Sequence, residues 1–298
     1  MHRRQFIAAS GLATLALTPP ALKAIEPFQR KPPGQLKLSL AAYSLRKYLQ
    51  PNSDSAQRMT LFDFVDFCHQ RGLAGAELTS YYFPDPVTQE YLLELKRHCH
   101  LRGISVSGGA IRNDFCRTDP QKLAADLAHT RQWVDHYALL GAPAIRIFAG
   151  QAVAGEPLST TLARCAENCQ TACDYASQRG IMLALENHGG VTAEAAGLLE
   201  IVRQVESPFF GVNFDSGNFR GADPYAELAQ IAPYAVNAQI KVEMHAGGGK
   251  QETDLKRVVE LLRDVGYSGW VALEYEASEE PLTAIPRWLD QLQPLMDG

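Results

Sequence analysis

The chain has 298 residues and a formal net charge of −5. This length exceeds that of an average domain but suits a single large one. The acidic balance, without a concentrated basic patch, argues against a nucleic-acid partner, because phosphate backbones are bound by clustered Lys and Arg. Six cysteines in a chain of this size do not indicate a disulfide framework.

Residues 1–24 are interpreted as an export signal. Arg3 and Arg4 precede an apolar stretch, residues 6–17, that is too short to span a bilayer comfortably. The pair resembles a twin-arginine signal, with a cleavage region near residues 21–24; an ordinary secretion signal and a retained anchor are the alternatives. We therefore expect a periplasmic protein, and no later run is apolar enough to predict a stable membrane span.

Residues 25–35 are predicted to form a linker, and residues 36–298 a single domain. In this domain short apolar runs, typical of strands, alternate with longer amphipathic segments, typical of helices. Asp119-Pro120 and Asp223-Pro224 each offer an N-cap followed by proline at the first helical position. The predicted strands are residues 36–44, 75–80, 103–111, 144–150, 182–188, 210–218, 237–243 and 270–276.

Strand and helix alternating eight times favours parallel pairing, because each helix returns the chain to the same end of the sheet. Eight parallel strands close a barrel, so the expected fold class is α/β, a (β/α)₈ TIM barrel. An open Rossmann-like sheet is the alternative, but no G-x-G-x-x-G follows the first run.

Polar residues are concentrated at the ends of the later strands, where a TIM barrel carries its working groups. Carboxylates crowded together at low dielectric need a compensating cation, and oxygen ligands favour Mn²⁺, Mg²⁺ or Co²⁺, with Zn²⁺ as the alternative. Ordinary salt-bridged or solvated strand ends are the competing interpretation. The sequence predicts one divalent metal ion, with ligands Glu186, Asp215, Gln239 and Glu274.

Earlier strands carry three further candidates for substrate binding. Glu77 on the second strand is predicted to orient His188 or to bind a substrate hydroxyl. Arg146 on the fourth strand is predicted to meet a substrate oxyanion or to form a structural ion pair. Tyr43, near the mouth after the first strand, is predicted to form a wall of the pocket.

The late-strand motifs resemble the xylose-isomerase-like superfamily of sugar phosphate isomerases and epimerases, over nearly the whole chain after the signal. In that family a Glu, an Asp, a His and a second Glu on four successive strands hold the metal. Gln239 stands where the family usually has its His, two residues before Lys241, and His245 is an alternative ligand. The motifs are A-L-E-N-H-G-G (184–190), V-N-F-D-S-G-N (212–218), I-K (240–241) and G-W-V-A-L-E-Y-E (269–276).

The resemblance implies a sugar isomerase or epimerase that abstracts a proton next to a carbonyl and passes through an enediolate. Glu186 and Glu274 are the predicted acid–base pair. His188 is predicted to bind a substrate oxygen or to move a proton between oxygens. Lys241 is predicted to neutralise developing negative charge, and Asn218 to bind substrate.

Three other functions stay open. A metal-dependent lyase or hydratase on a keto-sugar, glycoside or inositol-type substrate would use the same proton abstraction. A non-catalytic sugar-binding barrel would explain the loss of a His ligand at Gln239. The apurinic endonuclease branch of the superfamily is disfavoured, because it uses several zinc ions with many His ligands. The expected partner is therefore a small sugar or sugar derivative; a homo-oligomer is left open.

Overall fold

Eight parallel strands close a barrel in this computed structural model, which describes residues 25–50 and 57–297. Around the barrel the order is β1-β2-β3-β4-β5-β6-β7-β10, and β10 pairs with β1. The predicted TIM barrel is confirmed, and the open-sheet alternative is wrong. The strands are β1 (Leu36–Ala41), β2 (Gly75–Thr79), β3 (Ser105–Ala110), β4 (Ala144–Ile147), β5 (Met182–Glu186), β6 (Phe210–Asp215), β7 (Ala235–Ile240) and β10 (Gly269–Leu273).

Helices surround the barrel, and their starts follow local sequence signals. The carboxylate of Asp119 accepts hydrogen bonds from the backbone N–H groups of Gln121 and Lys122, and Asp223 accepts one from Ala226. Both predicted caps are confirmed. The helices are α1 (Arg46–Leu49), α2 (Leu61–Gln70), α3 (Gln89–Leu101), α4 (Pro120–Leu140), α5 (Leu158–Ser177), α6 (Ala195–Val202), α7 (Pro224–Ile231), α8 (Leu255–Asp264) and α9 (Pro281–Asp297). Within the described ranges, none is long and apolar enough to cross a bilayer.

An antiparallel hairpin follows β7, formed by β8 (Glu243–Ala246) and β9 (Gly249–Glu252). Gly247 and Gly248 connect its strands with φ of 60° and 86°. A two-residue hairpin loop of type I′ requires positive φ at both positions, which glycine adopts without strain. The seventh predicted strand, residues 237–243, is therefore wrong at its end: the barrel strand stops at Ile240.

Four polar side chains form a closed hydrogen-bonded network inside the barrel. Gln239 Nε2 donates to Glu77 Oε1 at 2.6 Å, and Asn237 Nδ2 donates to Glu77 Oε2 at 2.9 Å. Asn237 also donates to Asn213 at 2.8 Å, and Asn213 donates to Gln239 Oε1 at 2.6 Å. Burial raises the pKa of Glu77 to about 7, although these amide donors oppose the shift. We call these four residues the interior network.

Residues 25–35 contain neither helix nor strand and pack against the amino-terminal ends of the strands. Arg30 Nη2 donates to the carbonyl oxygen of Ala235, the first residue of β7, at 2.7 Å. Gly34 lies so close to the chain before β10 that a Cβ there would be 1.7 Å from the carbonyl oxygen of Tyr267. The segment thus covers the end of the barrel opposite the predicted site. The predicted export signal lies outside the described residues.

Candidate functional site

A cavity of about 320 Å³ opens at the carboxyl ends of the barrel strands. A cavity of this size lies at the lower end of the range for small-molecule sites, about 300–1,000 Å³. We call it the central cavity. The predicted site residues that line it are Tyr43, Arg146, Glu186, His188, Asn218, Lys241 and Glu274.

Three buried carboxylates converge beneath the central cavity, one from the end of β5, one from the end of β6 and one directly after β10. One oxygen each from Glu186, Asp215 and Glu274 lies within 4.8 Å of the others. Glu186 Oε2 and Asp215 Oδ2 are buried and make no hydrogen bond of good geometry among the described residues; each has a single ion-pair partner, Arg146 and Lys241 respectively. Oxygens left in this state suit a cation, so the three residues fit a divalent ion. His245 does not belong to this group.

Glu186 is fixed by two side chains. Arg146 Nε lies 2.9 Å from Glu186 Oε2, and Asn218 Nδ2 donates to Glu186 Oε1 at 2.9 Å. Arg146 is itself held, because its Nη1 donates to the carbonyl oxygen of Ile111 at 2.7 Å. Of the two predicted roles for Arg146, the structure shows the ion pair: it positions Glu186 and compensates its charge.

Lys241 places its ammonium group among the remaining carboxylates. Its Nζ lies 3.1 Å from Asp215 Oδ2 and 3.3 Å from Glu274 Oε2. It also lies 3.1 Å from Glu276 Oε1 and donates to Asn218 Oδ1 at 2.9 Å. One buried cation therefore serves three carboxylates, which leaves the site rich in negative charge.

This crowding perturbs the pKa values of the carboxylates. Burial raises the pKa of Glu274 to about 8 and that of Asp215 to about 7, although the charge of Lys241 opposes both shifts. At Glu276 burial acts in the same direction, but the attraction of Lys241 and other cations outweighs it and lowers the pKa. A divalent ion at the three converging carboxylates would relieve their repulsion.

His188 lines the central cavity with its ring against Phe148, the ring centroids 4.3 Å apart. Burial lowers the pKa of His188 to about 4, and the positive charges of Arg146 and Lys241 lower it further. The imidazole is therefore neutral at pH 7, so that it presents one donor and one acceptor nitrogen.

Glu77 and Gln239 do not line the central cavity. The amide oxygen of Gln239, predicted to face a metal, accepts a hydrogen bond from Asn213, while its amino group binds Glu77. Glu77, predicted to meet substrate or His188, is 1% exposed and bonded within the interior network. The structure thus places both residues in the barrel interior, below the cavity.

Sequence reasoning missed five residues of the cavity wall. Glu276 had a signal, because it follows Glu274 by two residues and alternation along a strand puts such residues on one face. Phe148 had the same signal, because it follows Arg146 by two residues in the predicted strand 144–150, and the other three lie outside the strands and had no recognisable spacing. The five are Tyr81, Arg112, Phe148, Arg220 and Glu276.

The chain matches the sequence model of the xylose isomerase-like TIM barrel family over residues 63–292 and belongs to that family. An uncharacterised protein of Methanocaldococcus jannaschii is 30% identical over 134 residues. This match covers 40% of the present chain and 44% of the other protein, which is less than half of the length of either.

Several solved structures share the fold. A 3-keto-D-glucoside 4-epimerase from E. coli has a TM-score of 0.68 at 14% identity, over 87% of this chain and 100% of that one. The IOLI protein with a bound zinc atom has a TM-score of 0.69 at 17% identity, over 87% and 99%. A probable 3-DHS dehydratase from Bacillus anthracis has a TM-score of 0.67 at 18% identity, over 85% and 98%. At these identities the likeness concerns the fold alone.

Proposed function

We propose that the protein is a metal-dependent sugar isomerase or epimerase that abstracts a proton next to a carbonyl. The observation that carries this proposal is the convergence of Glu186, Asp215 and Glu274 under a polar cavity, three buried carboxylates whose ion-pair partners are only two basic side chains, Arg146 and Lys241. Membership of the xylose isomerase-like family and the shared fold of an epimerase and a zinc-binding protein support it.

The three converging carboxylates are the residues that would hold the metal. A bound divalent ion supplies a Lewis acid that polarises a carbonyl and acidifies the adjacent C–H. Gln239 is the weaker fourth candidate, because its oxygen already accepts a hydrogen bond from Asn213. The oxygen-rich set favours Mn²⁺, Mg²⁺ or Co²⁺, and the zinc atom of the IOLI protein keeps Zn²⁺ as a candidate.

Glu186 and Glu274 transfer the proton in this proposal. They stand on β5 and directly after β10, with β6 and β7 between them in the barrel. One carboxylate removes the proton from carbon, and the pair of electrons left behind forms the enediolate of the substrate. Return of a proton by the other carboxylate on the opposite face gives an epimer, and return to the neighbouring carbon gives an isomer.

Lys241 and neutral His188 act on the substrate oxygens. The ammonium group of Lys241 is fixed by four oxygens, so that its charge is preorganised to stabilise a developing oxyanion. The imidazole of His188 can donate to one substrate oxygen without adding a charge. Phe148 holds the ring in place from one side.

Solvent deuterium incorporation into a panel of sugars, with and without Mn²⁺, tests the proposal. We expect Mn²⁺-dependent C–D formation in at least one sugar, because abstraction exchanges the proton with solvent before the product leaves. Measurement of divalent-metal binding by the folded protein is an independent test of the proposal. A folded protein that binds no divalent ion at micromolar concentration would remove the basis of the proposal.

A metal-dependent lyase or hydratase is the second candidate. Glu276 favours it, since this ionised carboxylate stands in the cavity beside Lys241 in addition to the three converging ones and is a further base that can accept a proton from the substrate. The dehydratase of similar fold is consistent with it. Product analysis separates the two: an unsaturated product with loss of water or another substituent supports the lyase, and an epimer or aldose–ketose pair the isomerase.

We also propose that the protein is exported to the periplasm, on the strength of Arg3 and Arg4 before a short apolar stretch. Fusion of residues 1–24 to a folded reporter tests this. If replacing both arginines with lysine abolishes export of the reporter, a twin-arginine signal is supported. If export persists, the segment is an ordinary secretion signal.

A further inference from the structure

A second cavity, of about 270 Å³, adjoins the central cavity on the side of the β8–β9 hairpin. We call it the hairpin pocket. The two cavities share part of their walls and therefore adjoin one another. The shared residues are Asn218, Arg220, Lys241 and Glu276.

The charges around the hairpin pocket are largely compensated. On the hairpin, Lys250 forms an ion pair with Glu243. At the shared wall, Lys241 forms one with Glu276. Apart from Arg220, the charges of the hairpin pocket are therefore paired, which disfavours a multiply charged ligand.

Two polar side chains of the hairpin pocket are available to a ligand. The side chains of Arg220 and His245 make no hydrogen bond or ion pair with any residue in the described part of the chain. Arg220 offers donors only, and His245 offers both a donor and an acceptor. These two side chains and the carboxylate oxygens of Glu243 and Glu276 place hydrogen-bond donors and acceptors side by side. Such a wall suits a ligand with hydroxyl groups, because a hydroxyl group both donates and accepts.

A third cavity, of about 230 Å³, adjoins the central cavity on the other side of the mouth and is smaller than the hairpin pocket. Both amide atoms of Asn113 bond the backbone of Phe148. Asp114 Oδ1 accepts from the N–H of Cys116, and Thr192 Oγ1 donates to the carbonyl oxygen of Glu186. These three side chains hold loops together, whereas Gln151 has no hydrogen-bond partner among the described residues, so the third cavity is the competing position for a ligand.

We propose that the substrate has two rings: the reacting sugar lies in the central cavity, and a second ring rich in hydroxyl groups lies in the hairpin pocket. The chemistry at the first ring rests on the proposed function, which requires a free carbonyl there. Reducing disaccharides and related glycosidic derivatives meet both requirements. The central cavity alone is at the lower limit for a small-molecule site, whereas the two cavities together lie well within the range.

Calorimetric titration of the full chain with Mn²⁺ present tests the pocket. The probes are D-glucose and four disaccharides with glucose at the reducing end, namely cellobiose, maltose, lactose and melibiose. We expect the affinity for at least one disaccharide to be about tenfold higher than that for glucose, or more, because the second ring adds several hydrogen bonds. Equal or weaker binding of all four disaccharides would overturn the proposal.

The variant His245→Ala locates the effect. We expect about a 3- to 10-fold loss of affinity for the favoured disaccharide, corresponding to one hydrogen bond, with glucose affinity unchanged. Gln151→Ala in the third cavity is the matched control and should change neither the affinity for the disaccharide nor that for glucose. Two results would contradict the placement of the second ring in the hairpin pocket. One is that His245→Ala lowers the affinity for glucose as much as that for the disaccharide. The other is that Gln151→Ala, and not His245→Ala, lowers the affinity for the disaccharide alone.

The outcome for the pocket is separable from that for the reaction, because calorimetry requires no turnover. Tight disaccharide binding without deuterium exchange would contradict the proposed reaction and leave the second-ring pocket supported. Exchange into free monosaccharides without any advantage for disaccharides would overturn the pocket alone.

Discussion

Two buried polar clusters lie one above the other in this barrel, and they differ in how their hydrogen bonds are satisfied. In the interior network the amide groups of Asn213, Asn237 and Gln239 bond one another and Glu77. In the carboxylate cluster at the mouth, Glu186 and Asp215 each keep a buried oxygen that has an ion-pair partner but no hydrogen bond of good geometry among the described residues.

The difference separates a structural role from a functional one. A buried polar group stabilises a fold when its hydrogen bonds are made and destabilises it when they are not. The interior network makes its bonds and fixes β2, β6 and β7 relative to one another. The cluster at the mouth has four carboxylates but only two basic side chains, Arg146 and Lys241, to pair with them, which indicates that a cationic ligand completes it. The predictions below test this separation.

Neutralising the acid–base pair should have the largest effect. We expect Glu186→Gln and Glu274→Gln each to reduce turnover by about 10²–10⁴-fold, the range for loss of a positioned acid or base. The fold should persist, because Gln keeps the shape of the side chain. Deuterium exchange measures the activity, and circular dichroism the fold.

Glu276→Gln is the matched comparison, because it removes a carboxylate that contacts the same lysine but lies outside the converging three. An isomerase or epimerase should lose less than about tenfold in turnover, the smaller effect of a residue that does not transfer the proton. A loss as large as that of Glu274→Gln would favour the lyase. Near-normal turnover in Glu186→Gln or Glu274→Gln would remove that residue from the acid–base pair.

Metal binding should stabilise the protein through the cluster at the mouth. At a Mn²⁺ concentration one hundred times Kd, linkage predicts about 2.7 kcal/mol. For a domain of this size that corresponds to a rise in Tm of about 5–10 °C. Asp215→Asn should abolish the rise, since it removes one of the three ligands. A Tm of the wild type that is the same in Mn²⁺ and in EDTA would contradict the metal site.

Opening the interior network should lower stability and leave the metal site intact. Glu77→Ala leaves the amide donors of Asn237 and Gln239 without their acceptor, at a cost of about 2–5 kcal/mol. Glu94→Ala, on an exposed position of α3, is the control and should be neutral. Denaturant unfolding measures the stability, and calorimetry the Mn²⁺ affinity. A stable Glu77→Ala variant with weakened Mn²⁺ binding would place Glu77 in the site, as the sequence had suggested.

Local patterns were sufficient to predict the barrel and much of the cluster at its mouth. Strand–helix alternation and the caps at Asp119 and Asp223 depend on residues close together in the chain. The convergence of Glu186, Asp215 and Glu274 follows from the geometry of parallel strands, whose carboxyl ends meet at one end of the barrel.

Contacts between distant residues could not be predicted in this way. The orientation of Gln239 depends on Glu77, which is 162 residues away in the chain and three strands away around the barrel. The hairpin was missed because β9 (Gly249–Glu252) is exposed throughout and shows no alternation of apolar and polar residues. Gly247 and Gly248 were its one local signal.

The substitution Gln239→His affects both clusters and should have the smallest effect. An imidazole nitrogen is a stronger ligand for Zn²⁺ and Co²⁺ than an amide oxygen, so we expect affinity to rise about tenfold. Stability should fall by about 1 kcal/mol, because the imidazole cannot both donate to Glu77 and accept from Asn213 in the geometry of the amide. Parallel titrations with Zn²⁺ and Mn²⁺ measure the change. An unchanged affinity together with the loss of stability would show that position 239 belongs to the interior network alone, and that three carboxylates hold the metal without a fourth side chain.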